Sequence, residues 1–374
     1  MGCLYVGVIP VLDNRNKSDK VFDNIDEFIT AYYLDRTPPI TEKVDDAFML
    51  CTSGTTGQTK FVVHSQESIC GTGLQFGPYL NITKNDTILS AAKMFHAYGL
   101  GNSISIPLSH GCTVILESEL PSPIRIVNHI QNHKVTIFCG VPRHYTSLLS
   151  VKYGCESLRI CLSAGELLPN NVKNSFTLIH NCDIIDSIGS TESLGFMISS
   201  GVPVDGCQVK LLNEYGDEVE SGNIGELFVS VPFGSYKYSN DINATNYTFK
   251  DGWIKTGDMC VMRNGKYLHK GRKNDCIKIN GLYISLNNLE NKLYEIESVH
   301  EAAIVSTENQ YQLTRLEIFV VLKDGFDKDK EHKTIIETLK QNMTFNLPII
   351  IKIVDCLPRT PSGKIKKYIL IQSE

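Results

Sequence analysis

The stretch Leu50-Cys51-Thr52-Ser53-Gly54-Thr55-Thr56-Gly57-Gln58-Thr59-Lys60 concentrates the side chains that grip a polyphosphate. An apolar run, Ala47–Leu50, enters it, and another, Phe61–Val63, leaves it. Small residues let a loop curl until its backbone N–H groups point at an anion. The hydroxyls add donors and Lys60 adds a positive charge. Lys60 does not follow a glycine, so this is not the Gly-x-x-x-x-Gly-Lys-Ser/Thr loop. It is not a dinucleotide Gly-x-Gly-x-x-Gly turn either. By composition alone, a Ser/Thr/Gly-rich surface turn remains open.

A phosphate loop needs a rigid scaffold. Up to about residue 200, short apolar runs alternate with amphipathic stretches. Val135–Val141 predicts a strand and 143–150 a helix; Ile160–Ser163 and Cys182–Ile188 predict strands around a helix near Pro169–Phe176. Such alternation argues for parallel α/β layers. After residue 201 the texture turns β-rich, with Val209–Leu212 and Glu226–Val231 suggesting antiparallel sheet or a small barrel. From about Gly271 the pattern is a compact α+β module. It has helices at Leu286–Glu295 and Lys328–Gln341 and strands at Ala302–Ser306 and Leu316–Leu322. The polar region 13–24 reads as a surface connection.

The chain has 374 residues, with 42% hydrophobic and 21% charged, which is ordinary for globular proteins and allows two or three domains. Its net charge of −5 argues against a general nucleic-acid or anionic-membrane binder. The twelve cysteines include no pair with metal or redox spacing. They read as mostly buried free thiols in a reducing cytoplasm. No segment reaches the ~18 apolar residues of a membrane helix. The start, Met1–Leu12, is a poor signal peptide and reads as a buried strand.

Here a resemblance enters. Thr52–Lys60 resembles the signature loop of the adenylate-forming acyl-CoA synthetases and adenylation domains. Other stretches follow in that family's order: Ser187-Ile188-Gly189-Ser190-Thr191-Glu192, Gly225-Glu226-Leu227 and Gly252-Trp253-Ile254-Lys255-Thr256-Gly257-Asp258. Gly271–Gly281 resembles its hinge motif and Pro358–Ile365 its C-terminal lysine motif. Ser90–Asn102, Ser163-Ala164-Gly165-Glu166 and Asp186–Glu192 are similar to the benzoate–CoA ligase branch.

The resemblance implies the roles. Thr52, Ser53, Gly54, Thr55, Thr56, Gly57 and Lys60 would hold the β- and γ-phosphates of ATP. Thr191 would contact the α-phosphate and Glu192 would hold Mg2+, a hard cation that takes oxygen ligands. Ser163, Ala164, Gly165 and Glu166 would line the adenine slot with Asp186, Ser187, Ile188 and Gly189. Asp258 would accept from the ribose hydroxyls, with Arg272 nearby. Lys364 would bridge the carboxylate and the α-phosphate. His96, Ala97, Tyr98, Gly140 and Gly189 would surround a planar aryl acid. Asn274 would be the hinge, and Lys278 and Gly281 would border the thiol channel. Taken singly, a Thr-Glu pair is a helix cap, an Asp after Gly257 a turn residue, His96 a packed histidine, and Lys364 a solvated charge.

The implied fold is α/β. A large N-terminal domain of layered parallel sheets and helices spans 1–272, with a β-rich subdomain at about 201–270; a small mobile α+β domain spans 273–374. The implied activity is ATP-dependent conversion of an aryl carboxylic acid (benzoate, hydroxy- or amino-benzoate) to acyl-AMP, then transfer to a thiol. The acceptor is CoA or the phosphopantetheine of an acyl carrier protein. The alternative is a catalytically degenerate ligand-binding or scaffold protein of the same fold.

Several departures from the family pattern are visible. Thr59-Lys60-Phe61 replaces the usual Pro-Lys-Gly, Cys51 replaces a Tyr, and Asn274 stands where Asp or Lys is usual. Gly2–Leu12 resembles a strand from well inside the family's N-terminal domain, and the passages Leu12–Asp45 and Ser200–Val204 are short. Missing layers would expose apolar surface, so self-association into a homo-oligomer or a covering partner is expected.

Overall fold

The computed structural model describes residues 11–12, 46–53, 59–117, 121–239, 241–273, 276–279, 282–308, 314–342, 348–359 and 365–371. The chain divides into two compact units. The first comprises Met1–Lys210, Leu227–Thr256 and Asn264–Tyr267, and the second Leu211–Glu226, Gly257–Arg263 and Leu268–Glu374.

The first unit is organised by a seven-stranded sheet. In spatial order its strands are Val202–Pro203, Phe196–Ser199, Ile184–Gly189, Ile160–Ala164, Ile137–Gly140, Thr87–Ser90 and Thr113–Ile115. The last five are mutually parallel; at one edge Phe196–Ser199 turns back antiparallel, and Val202–Pro203 pairs antiparallel with it. Side chains of a strand alternate between faces. Phe138 and Cys161 therefore enter one apolar cluster under Pro123–His133, Pro142–Leu148 and Asn170–His180. Ile137, Cys139, Ile160 and Leu162 enter a second with Phe76, Leu80 and Ile106. Burial on both faces explains why these strands read as continuous apolar runs.

A smaller sheet carries the phosphate-loop candidate. Phe48–Ser53 and Thr59–His64 are antiparallel, with Thr52 opposite Lys60 and Ser53 opposite Thr59. Val11–Leu12 pairs in parallel with Met49 and Leu50, and Lys237–Tyr238 runs antiparallel beyond Val62 and Val63. Of the strand expected at the start, only Val11–Leu12 is described; the polar stretch 13–24 lies outside the described residues.

The β-rich region is a sheet in the order Gln208–Leu212, Ile224–Ser230, Trp253–Arg263, Phe249–Lys250, with Lys266–Arg272 on Trp253–Arg263. Further along, Val299–Glu308 and Thr314–Leu322 are antiparallel, and Ile349–Ile353 joins in parallel. Leu286–Leu293 and Lys328–Asn342 bury Leu289, Leu293, Ile335 and Leu339 against it. The expected α+β module is thus present, with longer strands than the apolar runs suggested.

No described cysteine is in a disulfide. Cys139, Cys155, Cys161, Cys182 and Cys260 are buried, whereas Cys70 and Cys356 are exposed. Among the described residues no helix is long and apolar enough to cross a membrane.

Candidate active site

The parallel strands end together, and their carboxyl ends carry the residues singled out in the sequence. In open α/β sheets ligands bind in the crevice outside those ends. Gly140 stands opposite Ser163, which stands opposite Asp186; Ala164 is opposite Ser187. Ser163 is fully buried, and its hydroxyl has no partner among the described residues. Gly189 must be glycine: a Cβ there would lie 2.8 Å from the carbonyl oxygen of Gly195.

Beyond Gly189 the chain turns sharply. Ser193 N donates to Ser190 Oγ and Ser190 N to Ser193 Oγ, each at 3.1 Å. That reciprocal pair fixes Thr191 and Glu192 between them. The Thr191 carbonyl oxygen accepts from His64 Nε2 at 2.9 Å, and the Glu192 carbonyl from Ser235 N at 2.7 Å. The Glu192 side chain accepts at Oε1 from the Tyr238 hydroxyl at 2.7 Å. Lys60 Nζ lies 5.1 Å from the centre of the Tyr238 ring. The structure therefore joins Lys60 to Glu192 through Tyr238.

Gly54, Thr55, Thr56 and Gly57 lie outside the described residues, as do Asn274, Gly281 and Lys364; Ser53 and Lys278 are described in backbone only.

The acyl-pocket candidates divide. His96 is exposed and precedes the helical turn Ala97–Leu100, its ring 4.4 Å from that of Phe95. Ala97 is buried. The Tyr98 hydroxyl turns inward and donates to the carbonyls of Leu162, at 2.8 Å, and Gly140, at 3.2 Å. Burial drives its pKa well above the usual tyrosine value. Tyr98 thus clamps two adjacent strand ends. A π-helical turn, Gly101–Ser105, follows and buries Asn102. Such turns frequently mark functional sites.

The second unit holds its own polar group. Asp258 is 3% exposed. A buried carboxylate requires compensating donors. Its Oδ1 lies 3.0 Å from His269 Nε2 and 3.2 Å from Arg272 Nε. An ionised carboxylate only accepts, so both nitrogens donate. Gly257, at φ +71°, supplies the left-handed backbone that precedes Asp258. Buried Glu226 accepts from Lys273 Nζ at 2.8 Å.

Sequence reasoning missed His64, Tyr238 and His269. Each sits in an ordinary strand, and its importance comes from a contact far away in sequence. The one available signal is a polar ring inside an apolar strand, as in Val62-Val63-His64.

Comparison with known proteins agrees with this geometry. The AMP-binding enzyme family model matches residues 6–238, and that of the CapK C-terminal domain matches residues 276–371. A benzoate–CoA ligase of Thauera aromatica is 36% identical over 347 residues, which cover 88% of this chain and 66% of that protein. A 4-hydroxybenzoate–CoA/benzoate–CoA ligase of Rhodopseudomonas palustris is 33% identical, over 89% of this chain and 65% of that protein. The chain thus spans just under two thirds of the length of these curated relatives. The crystal structure of a benzoate CoA ligase from Burkholderia xenovorans superposes with a TM-score of 0.84 at 30% identity, over 99% of this chain and 85% of that one.

Proposed function

Because the chain belongs to the AMP-binding enzyme family, we propose that it activates an aryl carboxylic acid as its acyl-adenylate and passes the acyl group to a thiol. The observation that carries this reading is the Thr191–Glu192 turn just past the carboxyl end of a parallel strand, held by His64, Ser235 and Tyr238, with Lys60 of the smaller sheet over the Tyr238 ring. The names of the relatives, benzoate and hydroxybenzoate CoA ligases, support an aryl acid and CoA. The phosphopantetheine of a carrier protein presents the same thiol and is the second acceptor to test.

In this reading the chemistry is mainly charge neutralisation and alignment. A carboxylate and the α-phosphate repel each other, so cations and oriented donors must bring them together. The terminal phosphates are assigned to Lys60 and to the loop residues Thr52 to Gly57. Thr191 faces the α-phosphate. The Ser163 hydroxyl, buried without a partner among the described residues, is left for the nucleotide. Asp258 accepts from the ribose hydroxyls while His269 and Arg272 donate to its Oδ1.

The donor set at Glu192 fits Mg2+. Tyr238 holds Oε1, and Oε2 has no bond among the described residues, which leaves a hard oxygen for the ion. Mg2+ would supply neutralisation of phosphate charge there. Lys364 is the cation proposed between carboxylate and α-phosphate.

We assign residues 1–272 and 273–374 to the two domains of this cycle, with Asn274 as hinge and Lys278 and Gly281 at the thiol path. The free cysteines support a reducing, cytoplasmic setting. Mass spectrometry of an incubation with ATP, Mg2+, benzoate and CoA tests the reading. Benzoyl-AMP is expected without CoA and benzoyl-CoA with it. ATP binding with no adenylate from any carboxylic acid would favour a catalytically silent member of the family.

A further inference from the structure

A phosphate-loop lysine and a metal-holding glutamate that serve one polyphosphate present a physical difficulty. They carry opposite charges. Left to themselves they would pair with each other, and each would then meet the nucleotide already neutralised. Among the described residues no ion pair joins Lys60 to Glu192; the ring of Tyr238 lies against Lys60, and its hydroxyl meets Glu192.

Tyr238 is built into this position. Its backbone pairs with Val62 on the strand that carries Lys60 two residues earlier. Its N–H donates to Thr245 Oγ1 at 3.0 Å, and the next residue, Ser239, donates to the Phe61 carbonyl at 2.8 Å. The ring is 7% exposed and packs with Val62, Ala244 and Phe249, whose ring centre is 5.3 Å away. The hydroxyl reaches Glu192 Oε1 at 2.7 Å, and Thr248 Oγ1 stands 3.5 Å from it on the other side.

One side chain thus serves two ions by two mechanisms. The phenol donates a charge-assisted hydrogen bond to a carboxylate, which is about twice as strong as a neutral one. The face of the ring attracts an ammonium through its quadrupole, within the ~6 Å over which cation–π contacts act. Neither contact neutralises its partner.

We propose that Tyr238 is a positioning residue that holds Glu192 and Lys60 oriented and apart, so that the carboxylate stays available to the divalent cation and the ammonium to the phosphates. The proposal rests on the functional reading above, in which those two residues serve Mg2+ and ATP.

Two variants separate its two roles. Tyr238→Phe removes one oxygen and keeps the ring; Tyr238→Leu removes both. The first readout is ATP–pyrophosphate exchange with benzoate as a function of Mg2+. Tyr238→Phe should raise half-saturating Mg2+ by roughly 10-fold, the scale of a lost hydrogen bond to a charged group. It should leave KM for ATP at saturating Mg2+ within about 2-fold of the unsubstituted protein. Tyr238→Leu should raise both. The second readout is calorimetric binding of ATP with Mg2+ and with EDTA, which needs no turnover. Tyr238→Phe should bind ATP in EDTA like the unsubstituted protein and lose part of the enhancement by Mg2+.

Unchanged Mg2+ dependence in Tyr238→Phe, by either readout, would overturn the proposal. So would a uniform loss of ATP binding in Mg2+ and EDTA alike, which is what mere destabilisation produces. If the unsubstituted protein shows no exchange with any acid, the functional reading fails on its own, and calorimetry still decides the role of Tyr238. Tyr238→Phe keeps the packed ring, so it decides the outcome even if Tyr238→Leu does not fold.

Discussion

The ring nitrogen Nε2 of His64 lies 2.9 Å from the carbonyl oxygen of Thr191, 127 residues further along the chain. A carbonyl only accepts, so Nε2 carries the proton and Nδ1 is a bare lone pair. Nδ1 is buried without a partner among the described residues. Burial lowers the pKa of His64 to about 4, against the smaller opposing effect of the Thr191 bond. The folded protein therefore holds a neutral imidazole under the Thr191–Glu192 turn.

That arrangement makes stability depend on pH. In the unfolded chain a histidine titrates near ~6.5. Between about 4 and ~6.5 the unfolded state binds more protons, so stability rises with pH across that window. It is complete above ~6.5 and declines as the pH falls toward 4. His144, also lowered to about 4 by burial and then by Arg143, adds to the slope. Each contributes up to ~1.4 kcal/mol per pH unit. Urea unfolding at pH 7.5 and 5.0 checks this. His64→Gln should flatten the difference, and an unaltered difference would contradict the assignment.

His269 should matter to Asp258 without touching any ligand. Removing one donor from a buried carboxylate costs about 1–3 kcal/mol, with Arg272 still in place. His269→Ala should therefore lower the urea midpoint and weaken ATP binding by several-fold. His269→Asn, which restores an N–H donor, should recover part of both. Equal behaviour of the two variants would show that the ring only packs.

Tyr98 clamps the ends of two strands through the carbonyls of Gly140 and Leu162. Tyr98→Phe should cost about 1 kcal/mol in stability, the net value of a typical buried hydrogen bond. Loosening the strand ends should raise KM for the aryl acid more than KM for ATP. A change confined to ATP would place the clamp at the nucleotide instead.

Much of this was legible in the chain. Apolar runs doubly buried in a parallel sheet announce themselves, and Ile160–Ser163 and Cys182–Ile188 fall within one or two residues of the observed Ile160–Ala164 and Ile184–Gly189. Helix Lys328–Asn342 matches the charged amphipathic stretch that predicts it. Ser163 lies one residue before the end of Ile160–Ala164 and Thr191 and Glu192 just past Ile184–Gly189, because a strand-to-turn transition needs small and polar residues there, whereas Asp186 sits within the latter strand. Contacts that cross the sheet were not legible. Nothing in Lys237-Tyr238 says that its hydroxyl reaches Glu192, and nothing near Lys266–Arg272 marks His269 as a partner of Asp258. Nothing near Tyr98 says that its hydroxyl bonds the carbonyls of Gly140 and Leu162. Strand register decides such partnerships, and it is set by packing across the whole sheet.

Lys60, Thr191 and Glu192, linked through Tyr238 and the turn after Gly189, are proposed to serve adenylation of an aryl acid. ATP–pyrophosphate exchange tests it most directly, with benzoate, hydroxybenzoates, 2-aminobenzoate and palmitate, on the unsubstituted protein and on Glu192→Gln. Exchange with at least one aryl acid should lie well above that with palmitate, and Glu192→Gln should lose about 10² or more with the fold retained. Preferential exchange with palmitate, or full activity in Glu192→Gln, would contradict it.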